Sequence, residues 1–324
     1  SEFHLTEYFA PVLGVMRVDT LEEAIEAVNE VDYGLTSGLH TLDTEELAMW
    51  LDSIEAGNLY VNRGITGAIV RRQPFGGWKR SAIGSTTKAG GPSYLLGLGD
   101  IESDRGATAA VEATNAETLA PSVLALSGAA ARHLSEDEAV ELTRAIRADA
   151  AAWACDYGVN RDVTGMACER NVLRYRPTPV LVRAGSGTPL VDTVRVLAAG
   201  LLAGGPIGLS VADTLPQPVL ELLESLDIEV TVEDTSSWES RLSMVANSGG
   251  LGMRVRVLGP REESSEDRWE RASRASGGSP DVALYTGAVT PCPHAELLPF
   301  LREQAVSITN HRFGTPLDLA AGLL

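Results

Sequence analysis

Residues 62–91 read NRGITGAIVRRQPFGGWKRSAIGSTTKAGG, and this stretch carries the most specific pattern in the chain. It follows the strand-forming run at 58–62. Thr66 offers a hydroxyl, and Gly67 and Ala68 offer consecutive backbone N–H groups in a turn where the chain can curl around an anion. The stretch therefore predicts a loop that binds a small carboxylate.

Phe75 precedes Gly76 and Gly77 and can present an apolar wall to an aliphatic substrate. Alone, such glycines would indicate an ordinary surface turn. Together with the Lys-Ala-Gly-Gly-Pro run at 88–92, however, the pattern resembles the substrate-anchoring loop of glutamate-γ-semialdehyde dehydrogenases, in the aldehyde dehydrogenase superfamily. The resemblance implies that residues 66–68 and Phe75 place the substrate.

A second motif, Glu7-Tyr-Phe-Ala-Pro11, lies near the start of the chain. It is similar to the Glu-x-Phe-Gly-Pro motif of the same superfamily, with Ala10 in place of the glycine. The resemblance implies that Glu7 accepts hydrogen bonds from the nicotinamide ribose of NAD and that Phe9 packs beside the nicotinamide ring. A carboxylate can accept from two vicinal hydroxyls. On these residues alone, a solvated glutamate is the ordinary alternative.

Alternating strand and helix patterns surround the two motifs. Thr20 and Glu23 predict a capping box at the start of an amphipathic helix. This order predicts βαβ units on a parallel or mixed sheet. The predicted elements are a strand at 12–18, a helix at 20–29, a strand at 33–40, a helix at 43–54 and a strand at 58–62.

The stretch at 102–120 is rich in Ala, Thr and Glu and predicts a linker, which divides the chain into domains at 1–101 and 121–324. In the second domain, Ser135 and Glu138 predict another capped helix. Alternation continues from 172 onward and predicts a doubly wound α/β sheet. The predicted elements are strands at 172–177, 180–182, 206–211, 228–232, 253–258 and 281–285, and helices at 188–200, 220–226 and 266–275.

This second domain resembles an aldehyde dehydrogenase NAD-binding domain that has lost its ligand. Ser210-Val211 stands where the family has a Lys-Pro pair that contacts the adenosine ribose. In the turn that would bind pyrophosphate, Pro260 lacks an N–H, and Glu262 and Glu263 would repel phosphate. The Gly-Ser-Gly run at 185–187 could cradle a phosphate, but a turn between strand and helix explains it equally well.

The whole arrangement, including the motif at 298–314, resembles the long forms of proline utilisation A, bifunctional enzymes that oxidise proline to glutamate. The resemblance implies an α/β fold: the C-terminal part of an aldehyde dehydrogenase catalytic domain, then a degenerate, non-catalytic Rossmann-like domain. It also implies NAD as cofactor, upstream domains of the same polypeptide as partners, and FAD only in an upstream proline dehydrogenase domain.

The same resemblance places the nucleophilic cysteine and the general base upstream of Glu7. Cys155, Cys168 and Cys292 fall elsewhere, so we predict no catalytic residue in this chain and expect a fragment that is inactive alone. The competing hypothesis is a non-catalytic scaffold or capping module derived from an aldehyde dehydrogenase.

Composition restricts the partners. The 324 residues are 44% hydrophobic, and no stretch approaches the roughly 20 apolar residues of a spanning helix. A net charge of −18 argues against nucleic acid and anionic membranes. The three cysteines form no Cys-x-x-Cys pair, which argues against a zinc site. We expect a cytoplasmic protein with a small-molecule substrate, and a homo-oligomer stays open.

Overall fold

The structure is a computed structural model that describes residues 1–85, 87–99, 101, 119–248 and 252–324. The predicted linker lies outside the described residues except for its last two positions. The helices are α1 (Glu2–Leu5), α2 (Leu21–Asn29), α3 (Thr44–Ser53), α4 (Pro121–Ala130), α5 (Glu136–Ala152), α6 (Leu190–Ala203), α7 (Gln217–Ser225), α8 (Thr235–Asn247), α9 (Ser265–Ala275) and α10 (Pro293–Glu296).

The strands form two main sheets and two short antiparallel pairs, β1 with β4 and β12 with β13. The strands are β1 (Tyr33–Gly34), β2 (Thr36–Leu39), β3 (Asn58–Val61), β4 (Trp78–Lys79), β5 (Glu169–Pro177), β6 (Val180–Ala184), β7 (Ile207–Val211), β8 (Val230–Val232), β9 (Met253–Leu258), β10 (Val282–Tyr285), β11 (Leu301–Thr309), β12 (His311–Arg312) and β13 (Thr315–Pro316). The predicted α/β class with parallel strands is confirmed.

The predicted helix starts are largely correct because capping is a local interaction. Ser135 and Glu138 form the full capping box at the start of α5. The Thr20 hydroxyl caps α2 through the backbone N–H of Glu23, at 3.2 Å. The Glu23 carboxylate, however, reaches back to the N–H of Asp19 rather than that of Thr20, at 2.9 Å. The predicted capping box of α2 is therefore only half formed, since the Glu23 side chain caps the residue before Thr20.

The larger sheet, of order β10-β9-β6-β7-β8, is parallel throughout and lies within the second predicted domain. Strands β6, β7 and β8 follow one another in one direction, and β9 returns to the other side of β6. The chain therefore reverses its winding between β6 and β9, and ligands of open α/β sheets bind at the carboxyl ends of the strands at such a point. Helix α6 is buried nearly throughout and forms the centre of the main apolar core.

The smaller sheet, of order β2-β3-β11-β5, joins the two predicted domains. Strand β11 pairs parallel with β3, Ala305 opposite Asn58, and antiparallel with β5. Strands from the second predicted domain thus complete a sheet that the first begins. The division of the chain at 102–120 remains a prediction.

The strand predicted at 12–18 is wrong. These residues carry no strand, and Leu13 and Val15 are exposed by 84% and 73%. Strand conformation is stabilised by a hydrogen-bonded neighbour, and within the described ranges no strand lies beside this segment. The alternation of the sequence is compatible with a strand but supplies no partner.

Candidate substrate-binding loop

The loop predicted to bind a carboxylate starts directly after β3, which holds it through Tyr60. The Tyr60 hydroxyl donates to the carbonyl of Gly67 at 2.8 Å, so this carbonyl is turned toward the sheet. Burial raises the pKa of Tyr60, against the opposing charge of Arg63, and the hydroxyl stays a donor at neutral pH. Gly67 has a φ of +106°, a conformation that other residues rarely adopt.

The donors of this loop face solvent. Thr66, Gly67 and Ala68 are exposed. Within the described part of the chain, no carbonyl or side chain accepts a hydrogen bond from the N–H of Gly67 or of Ala68, or from the Thr66 hydroxyl. These are the groups that the sequence assigns to a substrate carboxylate. Their role in binding remains a prediction.

Phe75 lies on the returning arm of the same loop and is half-buried. Its backbone N–H and carbonyl both pair with Ala89, at 2.9 Å in each direction. Asn58 of β3 fixes the residues on either side: its amide donates to the Pro74 carbonyl at 2.9 Å and its Oδ1 accepts from the Gly76 N–H at 3.1 Å. The backbone that carries the Phe75 ring is thereby fixed by Ala89 on one side and by Asn58 on the other.

Gly76 and Gly77 are required for a reason that the sequence does not reveal. Neither has a positive φ, so a tight turn is not their role. Instead, other backbone segments approach them closely. A Cβ on Gly77 would lie 2.8 Å from the carbonyl oxygen of Ser81 and 3.0 Å from that of Gly34, and one on Gly76 would lie 3.2 Å from the Cα of Lys88. The two glycines allow the backbone at 76–77 to pack closely against these neighbouring segments.

Lys88 is buried beneath the loop, and sequence reasoning missed it. Its Nζ donates to Asn58 Oδ1 at 2.9 Å and to the Gly76 carbonyl, while its backbone N–H donates to Glu303 of β11 at 2.7 Å. Burial lowers the pKa of Lys88 to about 7, although the charge of Glu303 opposes the shift. The lysine is a structural link between the returning arm and β11.

Glu169, the first residue of β5, contacts both arms of the loop. It accepts from Arg63 Nη1 at 2.8 Å and from Arg72 at 2.7 and 3.1 Å. Gln73 and Ser307 also donate to this carboxylate, at 2.8 and 3.2 Å. These contacts join residues 96 to 138 positions apart in sequence, so no local pattern could have predicted them.

Glu7 and Phe9, the residues predicted to hold NAD, lie on the exposed N-terminal segment. Phe9 is 94% exposed. A shallow cleft around them is lined by residues of 3–14 alone. Among the described residues, no hydrogen bond, ion pair or ring contact joins Glu7 or Phe9 to the loop at 63–75. The structure thus does not bring the two halves of the predicted site together.

In the second domain, the Gly-Ser-Gly turn after β6 is occupied by a carboxylate of the protein itself. Asp213, just beyond β7, accepts from the Gly187 N–H at 2.8 Å and from the Ser186 hydroxyl at 3.4 Å. A Cβ on Gly187 would lie 3.6 Å from the ring of Pro260. The position where a phosphate would bind at the switch point is therefore already filled by negative charge.

Ser210, at the position where the sequence comparison expects a lysine, is hydrogen-bonded by other side chains of the protein. Arg183 of β6 is buried and donates to Ser210 Oγ at 2.8 Å and to the Glu233 carbonyl at 3.0 Å. Ser210 in turn donates to the Glu233 carboxylate at 2.6 Å, which also pairs with Arg241. Arg183 and Glu233 are thus both engaged with protein groups, and within the described residues Arg183 Nη2 is buried without a hydrogen-bond partner.

Two further expectations concern metals and membranes. Within the ranges that the structure covers, no group of three or more His, Cys, Asp or Glu side chains is placed to hold a metal ion. Among the helices described, none combines the length and the apolar character needed to cross a bilayer. Of the cysteines, Cys155 and Cys168 are exposed and Cys292 is half-buried, all with free thiols.

With this geometry established, residues 1–97 match the aldehyde dehydrogenase family. This part of the chain is similar to that family. It is similar to two curated proteins named 1-pyrroline-5-carboxylate dehydrogenase. The protein of Staphylococcus haemolyticus (strain JCSC1435) is 47% identical over 90 residues, which are 28% of this chain and 17% of that protein. The protein of Staphylococcus aureus (strain JH1) is 46% identical over the same shares.

A solved structure extends the similarity beyond residues 1–97. Proline utilization A from Corynebacterium freiburgense is 37% identical, with a TM-score of 0.69, over 97% of this chain and 27% of that protein. The chain thus spans about one sixth of the curated relatives and about a quarter of this structure. Both predicted domains of this chain therefore have counterparts in one polypeptide.

Proposed function

We propose that the chain is the C-terminal portion of a bifunctional proline-oxidising enzyme. In this proposal, residues 1–101 complete a dehydrogenase that oxidises L-glutamate γ-semialdehyde to L-glutamate with NAD. The observation that carries it is the similarity to proline utilization A over 97% of the chain at 37% identity. The exposed, unpaired donors at 66–68 support it, because a γ-semialdehyde carries an α-carboxylate to be bound.

The substrate loop would act by orientation. The Thr66 hydroxyl and the N–H groups of Gly67 and Ala68 would bind the carboxylate, and Phe75 would pack on the methylene chain. Holding the far end of the substrate places the aldehyde carbon against a nucleophile supplied by another segment. Tyr60 supports this geometry because its bond to the Gly67 carbonyl turns the acceptor away and leaves the donors outward.

Glu7 and Phe9 fit the role of NAD ligands in chemistry and accessibility. An exposed carboxylate can accept from ribose hydroxyls, and an exposed ring can pack on nicotinamide. NAD, when bound, would accept the hydride of the aldehyde. The chain's own contribution would be to hold the nicotinamide half of the cofactor.

For residues 121–324 we propose a non-catalytic role. Asp213 at the Gly187 turn and the Arg183 network at Ser210 both disfavour a dinucleotide. Strands β5 and β11 complete the sheet that carries the substrate loop. The alternative function, a scaffold or capping module without dehydrogenase activity in the parent protein, is favoured by the same observations.

NADH formation from the semialdehyde separates the two functions. We expect a polypeptide that joins this chain to the preceding dehydrogenase segments to form NADH, and the isolated chain to form none. Of the three cysteines, Cys168 adjoins Glu169 beneath the loop, so Cys168→Ser is the relevant check. NADH formation by the isolated chain that this substitution abolishes would overturn the assignment of the nucleophile to another segment. An inactive longer polypeptide would favour the scaffold.

A further inference from the structure

We propose that Glu169 is a positioning residue for the aldehyde site, because its one carboxylate holds both arms of the substrate loop. This inference rests on the proposed function of the loop. It assigns to the second domain a direct influence on substrate affinity, beyond covering the dehydrogenase segment.

Residues 64–71 form the part of the loop between Arg63 and Arg72, the two arginines that bind Glu169. This part carries Thr66, Gly67 and Ala68. Arg63 lies immediately before it and Arg72 immediately after it, and both guanidinium groups bind the same carboxylate within 2.8 Å. Bringing the ends of a flexible segment together restricts the conformations open to the residues between them. The hydrogen-bond donors at 66–68 therefore lie on a loop whose two ends are fixed together, and not on a freely extended segment.

The clamp is charge-assisted and mostly shielded from water. The side chain of Glu169 is 13% exposed, and those of Arg63 and Arg72 are 23% and 27% exposed. Burial would raise the pKa of Glu169, but hydrogen bonds from Arg72 and Arg63 outweigh it and hold this pKa below its ordinary value. The carboxylate is thus ionised at neutral pH, and the Arg72 contact is bidentate, the strongest geometry for such a pair.

The carboxylate is itself fixed from the sheet, so it can transmit the position of the second domain. The Ser307 hydroxyl of β11 lies 2.9 Å from Asn171 Oδ1 of β5 and 3.2 Å from the Glu169 carboxylate, and its single proton is shared between these two acceptors. Gln73 donates to both Glu169 and Asn171, at 2.8 and 3.0 Å. Strands β5 and β11 pair over their whole length, so this support is rigid.

The test is Glu169→Gln in the polypeptide that carries the whole dehydrogenase. We expect KM for the semialdehyde to rise about tenfold, because a neutral amide weakens the contacts to both arginines and frees the loop that carries the donors, with KM for NAD and kcat changed less than about twofold. In the present chain, amide hydrogen exchange at 64–71 should become faster. Asp52→Asn is the matched control, because Asp52 pairs with Arg176 at 3.2 Å between the same domains. It should change neither quantity.

The outcomes are distinguishable. Equal KM values in Glu169→Gln and the unmodified enzyme, with unchanged exchange at 64–71, would overturn the positioning role. If Glu169→Gln does not fold, Arg72→Gln removes one clamp and keeps the carboxylate paired with Arg63. For the inference to stand, it must raise KM for the semialdehyde while leaving KM for NAD nearly unchanged. If the unmodified polypeptide does not oxidise the semialdehyde, the proposed function fails, and exchange at 64–71 alone decides whether the clamp exists.

Discussion

Burial of Lys88 makes the stability of this chain depend on pH. Its pKa of about 7 lies below the ordinary 10.5, so the unfolded chain binds more protons between these values. Stability from this group therefore rises with pH across that window and is lost as pH falls toward 7. Between pH 7 and 9 the gain is on the order of 2 kcal/mol.

Urea unfolding at several pH values would measure this gain. We expect Lys88→Met to remove the rise between pH 7 and 9, whatever its effect on stability at one pH. If the variant and the unmodified chain show the same slope, Lys88 is not deprotonated in the folded state.

Gly67 concerns the substrate directly. Gly67→Pro removes one donor and is incompatible with a φ of +106°, so it should raise KM for the semialdehyde at least about tenfold and KM for NAD far less. Gly64→Ala is the control on the same loop, because a Cβ there meets no atom within 4 Å. Steady-state kinetics of the longer polypeptide would decide. An equal effect of Gly67→Pro on both substrates contradicts the assignment.

Local signals identified most elements and not the contacts between them. The caps at Ser135 and Asp43 depend on residues within three positions, so the sequence reveals them. Helix α4 was missed because its apolar residues are spread around the axis and form no stripe. Lys88 and Glu169 were missed because their partners lie far away in the chain. The loop could be recognised by its motif, whereas the clamp beneath it required the fold.

At the scale of the β6–α6 unit, we predict that the second domain binds no dinucleotide. Asp213 already accepts from the Gly187 N–H, so a phosphate would have to displace a carboxylate and overcome its charge. Calorimetric titration of the chain with NAD should show no saturable heat from this turn. Micromolar binding that survives Glu7→Ala but is lost in Gly187→Val would refute the degenerate-site interpretation.

For the whole molecule, the pairing of β11 with β3 attaches the C-terminal motif to the first predicted domain. Strand β11 of this motif lies between β3 and β5, so the motif is an internal part of the smaller sheet. Deleting 296–324 should abolish cooperative thermal unfolding of the first domain. Deleting only 317–324 removes Leu319, which is buried against the core of α3, and should cost at least about 2 kcal/mol. A cooperative transition in the longer deletion would contradict the central place of β11.

The position of β11 also determines when this protein can fold on the ribosome. Strand β3 begins at Asn58, and its partner residue Ala305 is 247 positions later. At about 5–20 residues per second, roughly 12–50 s of translation separate the two. Until then β3 presents an unpaired edge, which invites pairing with other nascent chains. The first predicted domain is therefore expected to depend on chaperones during synthesis, because its sheet is completed only when β11 emerges.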